Sequence, residues 1–112
     1  MNERHFGLGT ALVSGPSMVP TLRSGDVVLV RYGAVPRPGR LVLARYGSMP
    51  DRLVVKRAVR RIGNPPTDDP LAGWWLASDN PHAGGGSDVH GPADVLGVVV
   101  VRLRPGLPRR VR

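Results

Sequence analysis

Glycine and proline interrupt this chain so often that long helices have no room to form. With Gly 15 and Pro 12 in 112 residues, the pattern favours short strands joined by turns. "DVVLVRYG" (26–33) reads as a mostly buried strand, and "AVPRPG" as the turn after it. "RLVLARYG" (40–47) is the next strand, with Leu41, Leu43 and Arg45 alternating against Val42, Ala44 and Tyr46. "SMPD" turns the chain into a long strand, "RLVVKRAVRRI" (52–62). "GNPPTDDPLAG" (63–73) is a loop that Pro65 and Pro66 keep extended. "WWLAS" is a short strand and "DNPHAGGGSDVHGP" (79–92) a glycine-rich loop. "ADVLGVVVVRLRP" closes the domain, with one helical turn expected at Pro92 to Leu96, and "GLPRRVR" reads as a frayed tail. The expected fold is mainly β: one small antiparallel sheet, folded in a barrel-like way, with little helix. A single domain is expected over residues 1–104 and a basic tail over 105–112.

Composition narrows the functional classes. A hydrophobic share of 41% suits one modest core in a chain of this length. With Cys 0, disulfides and thiolate metal sites are excluded. The net charge of +8 invites an acidic partner, but it is spread along the chain apart from the terminal "PRRVR". Aromatics are not interleaved with the arginines as a stacking platform requires, so nucleic acid is not the expected partner. The longest apolar run, "VLGVVVV" (95–101), falls far short of the ~20 residues of a spanning helix. The opening "MNERHFGLGTALV" leaves no room for a secretory signal ahead of the folded part. The chain therefore reads as soluble and cytoplasmic, with surface contact to a membrane left open.

One residue stands out of the basic count. Lys56 is the single lysine among 16 Lys and Arg residues. Guanidinium keeps its proton in a protein, whereas a buried ammonium can lose it. Strand alternation puts Val54, Lys56 and Ala58 on one face, so only apolar side chains flank the amine there. Such a setting is desolvated and lowers the amine pKa, and a neutral lysine near pH 7 is a usable general base. The same spacing also fits a surface lysine whose stem lies along apolar neighbours.

Ser17, in "GPSMVP", is the matching nucleophile candidate. A serine hydroxyl needs a base to take its proton and backbone N–H groups to hold an oxyanion. Gly15 allows close backbone approach, and Pro16 and Pro20 stiffen the loop on both sides. An ordinary turn serine, like Ser14 and Ser24, is the competing reading.

These segments together resemble a known family. "SGPSMVPTLRSGDVVLV" is similar to the catalytic-serine box of the type I signal peptidases, which are Ser/Lys-dyad serine proteases, and "DRLVVKRAVRRIG" to their lysine box. "LASDNPHAGGGSDVHGP" resembles their third box, usually Gly-Asp-Asn and then Ser-x-Asp-Ser-Arg. The resemblance covers about residues 13–104 and implies a barrel-like signal-peptidase catalytic core. It implies Ser17 as nucleophile and Lys56 as general base. Met18 would line the cleft, Pro20 would fix the loop, and the Ser17 N–H would donate to the oxyanion. Gly15 stands where some members have a serine giving the second oxyanion bond. In the third box Ser78 replaces the first glycine, while Asp79 and Asn80 are kept as structural support. Ser87 also lines up. Matching by length puts Gly84 where the family has a serine that hydrogen-bonds the lysine, Gly86 at its carboxylate and Asp88 at its arginine. A two-residue slip instead puts Asp88 at the carboxylate and His90 at the arginine. In neither alignment is the family's salt bridge reproduced.

Small size and the "VVKRA…WW…SDNP…GP" continuation make the chain most similar to the soluble nickel-type superoxide dismutase maturation proteases. That resemblance implies removal of an N-terminal propeptide from a nickel superoxide dismutase precursor. No cofactor is implied: the nickel would belong to the substrate, and His5, His82 and His90 are too scattered to argue for a metal site. Substrate backbone would add as a β-strand beside the active site. Two alternatives carry different expectations: signal peptidase-like processing of secretory precursors without a membrane anchor, and a catalytically inactive basic β-domain that binds a protein. Self-cleavage of the repressor type is not expected, since 16 residues precede Ser17.

Overall fold

A computed structural model describes residues 7–62, 68–104 and 109–111. Among these residues seven strands form one antiparallel sheet: β1 (Gly7–Leu12), β2 (Val27–Tyr32), β3 (Leu41–Tyr46), β4 (Leu53–Arg61), β5 (Trp74–Ala77), β6 (Ala93–Arg104) and β7 (Arg109–Arg110). The strand order is β1-β2-β6-β3-β4-β5, and β5 returns to β6 through Trp74 opposite Ala93. Strands β6, β3, β4 and β5 thus close on themselves, while β2 and β1 extend the sheet on the other flank. The expected mainly-β, partly barrel-like architecture is what the chain adopts.

Alternation along β3 explains why there are two cores. Val42, Ala44 and Tyr46 point into a first cluster with Ala58, Leu71, Trp74, Leu76, Ala93 and Val95. Leu41 and Leu43 point the other way, into a second cluster with Val13, Met18, Leu22, Val28, Val30 and Val99. Both faces of β3 are covered, and its one polar member, Arg45, is exposed. β6 ties the halves together by pairing with β2, β3, β5 and β7. Gly97 lets it do so: a Cβ there would sit 2.6 Å from the Arg31 carbonyl oxygen of β2.

Three local expectations change. The first strand, β1, lies in a segment read from sequence only as a short apolar opening. The helical turn expected at Pro92 to Leu96 forms earlier, as α1 (Ser87–His90), and β6 begins at Ala93. The reason is local: Asp88 Oδ1 accepts the Gly86 N–H at 2.9 Å, and Gly91, at φ 80°, ends the turn by donating to the Ser87 carbonyl. Ala93 and Val95 are needed in the first core, which holds that stretch extended. Within the terminal segment, Arg109 and Arg110 are not frayed but pair with Arg102 and Val101 as β7. The extended loop expected around Pro65 and Pro66 lies outside the described residues, as does His5.

Candidate active site

The loop between β1 and β2 is closed before it presents Ser17. The Val13 N–H donates to the Asp26 carbonyl at 2.8 Å, and the Gly25 N–H returns to the Val13 carbonyl at 2.9 Å. Asp26 is buried, and its carboxylate accepts the Arg23 N–H at 2.9 Å. Met18 and Leu22, 1% and 0% exposed, pin the loop into the second core. Met18 therefore does two things: it fills that core and lines the cleft described below. Gly15 sits at φ 78°, a left-handed conformation that favours glycine, and donates its N–H to Ser24 Oγ at 3.2 Å. The peptide before Pro20 is cis. Ser17 is half-buried between the rigid Pro16 and the anchored Met18. Its N–H makes no hydrogen bond among the described residues, leaving it free to meet an incoming oxygen.

Lys56 stands opposite Val42 in the β3–β4 pairing, on the face that feeds the first core through Val54 and Ala58. It is 5% exposed. Burial drives its pKa below the ordinary lysine value; the positive charge of Arg52 pushes the same way, and Asp88 partly opposes both. The next residue, Arg57, points to the other side and binds Asp79 through Nε and Nη2, at 2.7 and 2.6 Å.

Gly84 brings the two candidates together. A Cβ at this residue would lie 3.6 Å from Ser17 Cβ and 3.8 Å from Lys56 Nζ. Ser17 and Lys56 thus converge on one point, although the amine's hydrogen bond goes elsewhere. Lys56 Nζ donates to Ser78 Oγ at 2.8 Å, not to Ser17. Both residues line a cleft of about 420 Å³ bounded by residues 10–18 on one side and 52–56 on the other. Each wall offers a strand edge: among the described residues β1 pairs only with β2, and the first part of β4 only with β3, since β5 joins from Arg57 onward.

Three consecutive residues after β5 hold this arrangement. Ser78 takes the Lys56 amine. Asp79 accepts from Arg57 and from Thr21 Oγ1, tying β4 to the serine loop. Burial alone would raise the Asp79 carboxyl, but the Arg57 and Thr21 hydrogen bonds and the Arg57 charge outweigh it and hold the pKa below the usual range. Asn80 donates its backbone N–H to the Ser17 carbonyl at 2.8 Å and its side-chain amide to the Pro16 carbonyl at 3.1 Å. Ser87 lies deeper, 2% exposed, and its Oγ accepts the Leu76 N–H at 2.7 Å, anchoring α1 to β5. Neither alignment of the third box foresaw the Arg57–Asp79 pair. Ser78 was also missed, although its departure from the expected glycine was a visible signal.

A family model described as Peptidase S24-like matches residues 3–100. The chain belongs to this family. Such membership supports a peptidase of the serine type, and it agrees with the sequence resemblance at that coarser level. No curated protein matches the S24-like chain. No helix among its described residues is long and apolar enough to cross a membrane.

Proposed function

We propose that the protein is a serine endopeptidase that uses Ser17 and Lys56 as a catalytic pair and removes an N-terminal propeptide from a precursor protein. The observation that carries this reading is the lone lysine of a Peptidase S24-like chain, 5% exposed, converging with Ser17 at Gly84 on the wall of one cleft.

The chemistry follows from these groups. Neutral Lys56 takes the Ser17 hydroxyl proton as Oγ bonds to the scissile carbonyl carbon. The carbonyl oxygen becomes an oxyanion and receives the Ser17 N–H. Collapse breaks the C–N bond, and protonated Lys56 returns its proton to the leaving amine. Water then attacks the acyl-serine, giving its proton to Lys56, and the second collapse frees Ser17 and a carboxylate. A proton moves in and out of one amine, so the pKa lowered by burial is what the cycle needs near neutral pH. Substrate backbone would lie as an added strand between the edges of β1 and β4.

The narrower substrate reading is the proform of nickel superoxide dismutase, cut in the cytoplasm so that the new N-terminus can bind the metal. It rests on the sequence likeness to maturation proteases of that enzyme. Incubation of the purified chain with such a precursor, followed by mass spectrometry, is the direct test. Cleavage at one bond, lost in Ser17→Ala and Lys56→Arg with melting temperature retained, is the expected result. Processing that persists in Lys56→Arg would overturn the base assignment, because guanidinium cannot accept the proton.

A further inference from the structure

We infer that Ser78 is the positioning residue for the base: its hydroxyl sets the direction in which the Lys56 amine presents its lone pair. The inference rests on the reading of Lys56 as general base. It starts from a geometric fact, the 2.8 Å hydrogen bond from Nζ to Ser78 Oγ. A neutral amine has two N–H bonds and one lone pair, and it rotates about Cε–Nζ. Committing one N–H to a fixed acceptor leaves the lone pair with only two directions to take, one of which must reach Ser17. The strand itself supplies no substitute: Val54 and Ala58, the neighbours of Lys56 on its face, carry no polar side-chain atom.

The candidates for the same task are few. Arg52, just before β4, and Asp88, on α1, are the charges that act on Lys56, yet neither forms a hydrogen bond or ion pair with Nζ. Gly84 lies beside both reacting side chains but offers no side chain at all. Ser78 is also well held. It follows directly on β5, whose Ala77 pairs with Arg57, and it precedes Asp79 and Asn80, which bind Arg57 and the serine loop. The hydroxyl is therefore fixed relative to both the lysine strand and the nucleophile.

The composition supplies a clean readout. Because Lys56 is the only lysine, protein grown with lysine labelled at Cε gives one NMR signal, whose titration reports Lys56 without activity. A hydrogen bond accepted from the ammonium favours the charged form, so Ser78→Ala is expected to lower the midpoint of that titration. The same variant should lose about 10- to 100-fold in kcat, the usual cost of misplacing a catalytic group, with KM little changed. Its acid limb in the pH–rate profile should move down with the NMR midpoint. Ser78→Thr, which keeps a hydroxyl, should restore both. If Ser78→Ala does not fold, Ser78→Cys keeps the shape with a much weaker acceptor, and the same downward shift is expected. A wild-type midpoint and kcat in Ser78→Ala would overturn the inference; so would lost activity with the midpoint unmoved. Failure of the underlying reading looks different: Ser17→Ala or Lys56→Arg would still cleave.

Discussion

The cost of keeping an amine in an apolar face falls on the folded state, and it depends on pH in a definite direction. Lys56 has a folded pKa below its ordinary 10.5, so between those two values the unfolded chain binds more protons than the folded one. Stability from this group therefore rises as pH climbs through that window and is lost as pH falls through the folded value. Lys56→Met removes the titration while keeping the bulk. We expect the variant to be more stable than the wild type at neutral pH, with the margin shrinking toward pH 10.5, as measured by urea unfolding across that range. A margin independent of pH would mean the amine is not desolvated. Gly84 tests the other side of the pair. An alanine methyl would meet Ser17 Cβ and Lys56 Nζ at ordinary contact distances, but the φ of 66° disfavours any L side chain by about 1–2 kcal/mol. More important for function, the methyl would fill the point on which the two groups converge. Cleavage in Gly84→Ala should fall by at least about 10-fold.

At the scale of elements, the segment 78–80 links pieces of chain that are far apart in sequence. Asp79 is the strongest of its three links, because both Arg57 bonds are charge-assisted and the pair is only 26% and 14% exposed. Asp79→Asn removes the charge with little change of shape and should cost about 2 kcal/mol at pH 7. The sign with pH is the opposite of a raised group. The Asp79 pKa is held below 3.8, so its contribution is present above that value and disappears as pH falls through the lower folded pKa. The gap between wild type and variant in denaturant titrations should close in acid, and cleavage should drop with it as Thr21 and β4 lose their common anchor. How much of this was legible beforehand follows from where the information resides. The strands β2 to β6 sit in local apolar patterns that single segments reveal; Ser17 and Lys56 stood out there only as candidates, and the resemblance is what paired them. Asp79 and Asn80 were marked as support by resemblance alone. Their partners Thr21, Arg57 and Pro16 are long-range, and the choice of Ser78 over Gly84 as the amine's acceptor is a matter of which loop reaches Nζ in space. No spacing encodes that.

For the molecule as a whole, the two candidate catalytic groups belong to different cores. Ser17 is held through Met18 and Leu22 in the second cluster, and Lys56 lies on the face of the first. Their separation is thus set by β3 and β6, which supply buried residues to both cores. This makes Gly97 a test of the architecture. Its missing Cβ would lie 2.6 Å from the Arg31 carbonyl and 2.7 Å from Val30 Cγ1, and a backbone oxygen has no rotamer by which to retreat. Gly97→Ala must push β6 away from β2, an overpacking of the kind that costs about 1–3 kcal/mol. For a domain of about this size that corresponds to roughly 4–8 °C in melting temperature for each kcal/mol. Because β6 pairs with four other strands, the loss should appear as one cooperative transition. Fluorescence of Trp74 and Trp75, in the first half, should report the same midpoint as the loss of precursor cleavage, which needs both halves. Two separate midpoints, with the tryptophan signal surviving the end of cleavage, would show that the closed half stands without its flank and that the catalytic geometry is not shared between the cores.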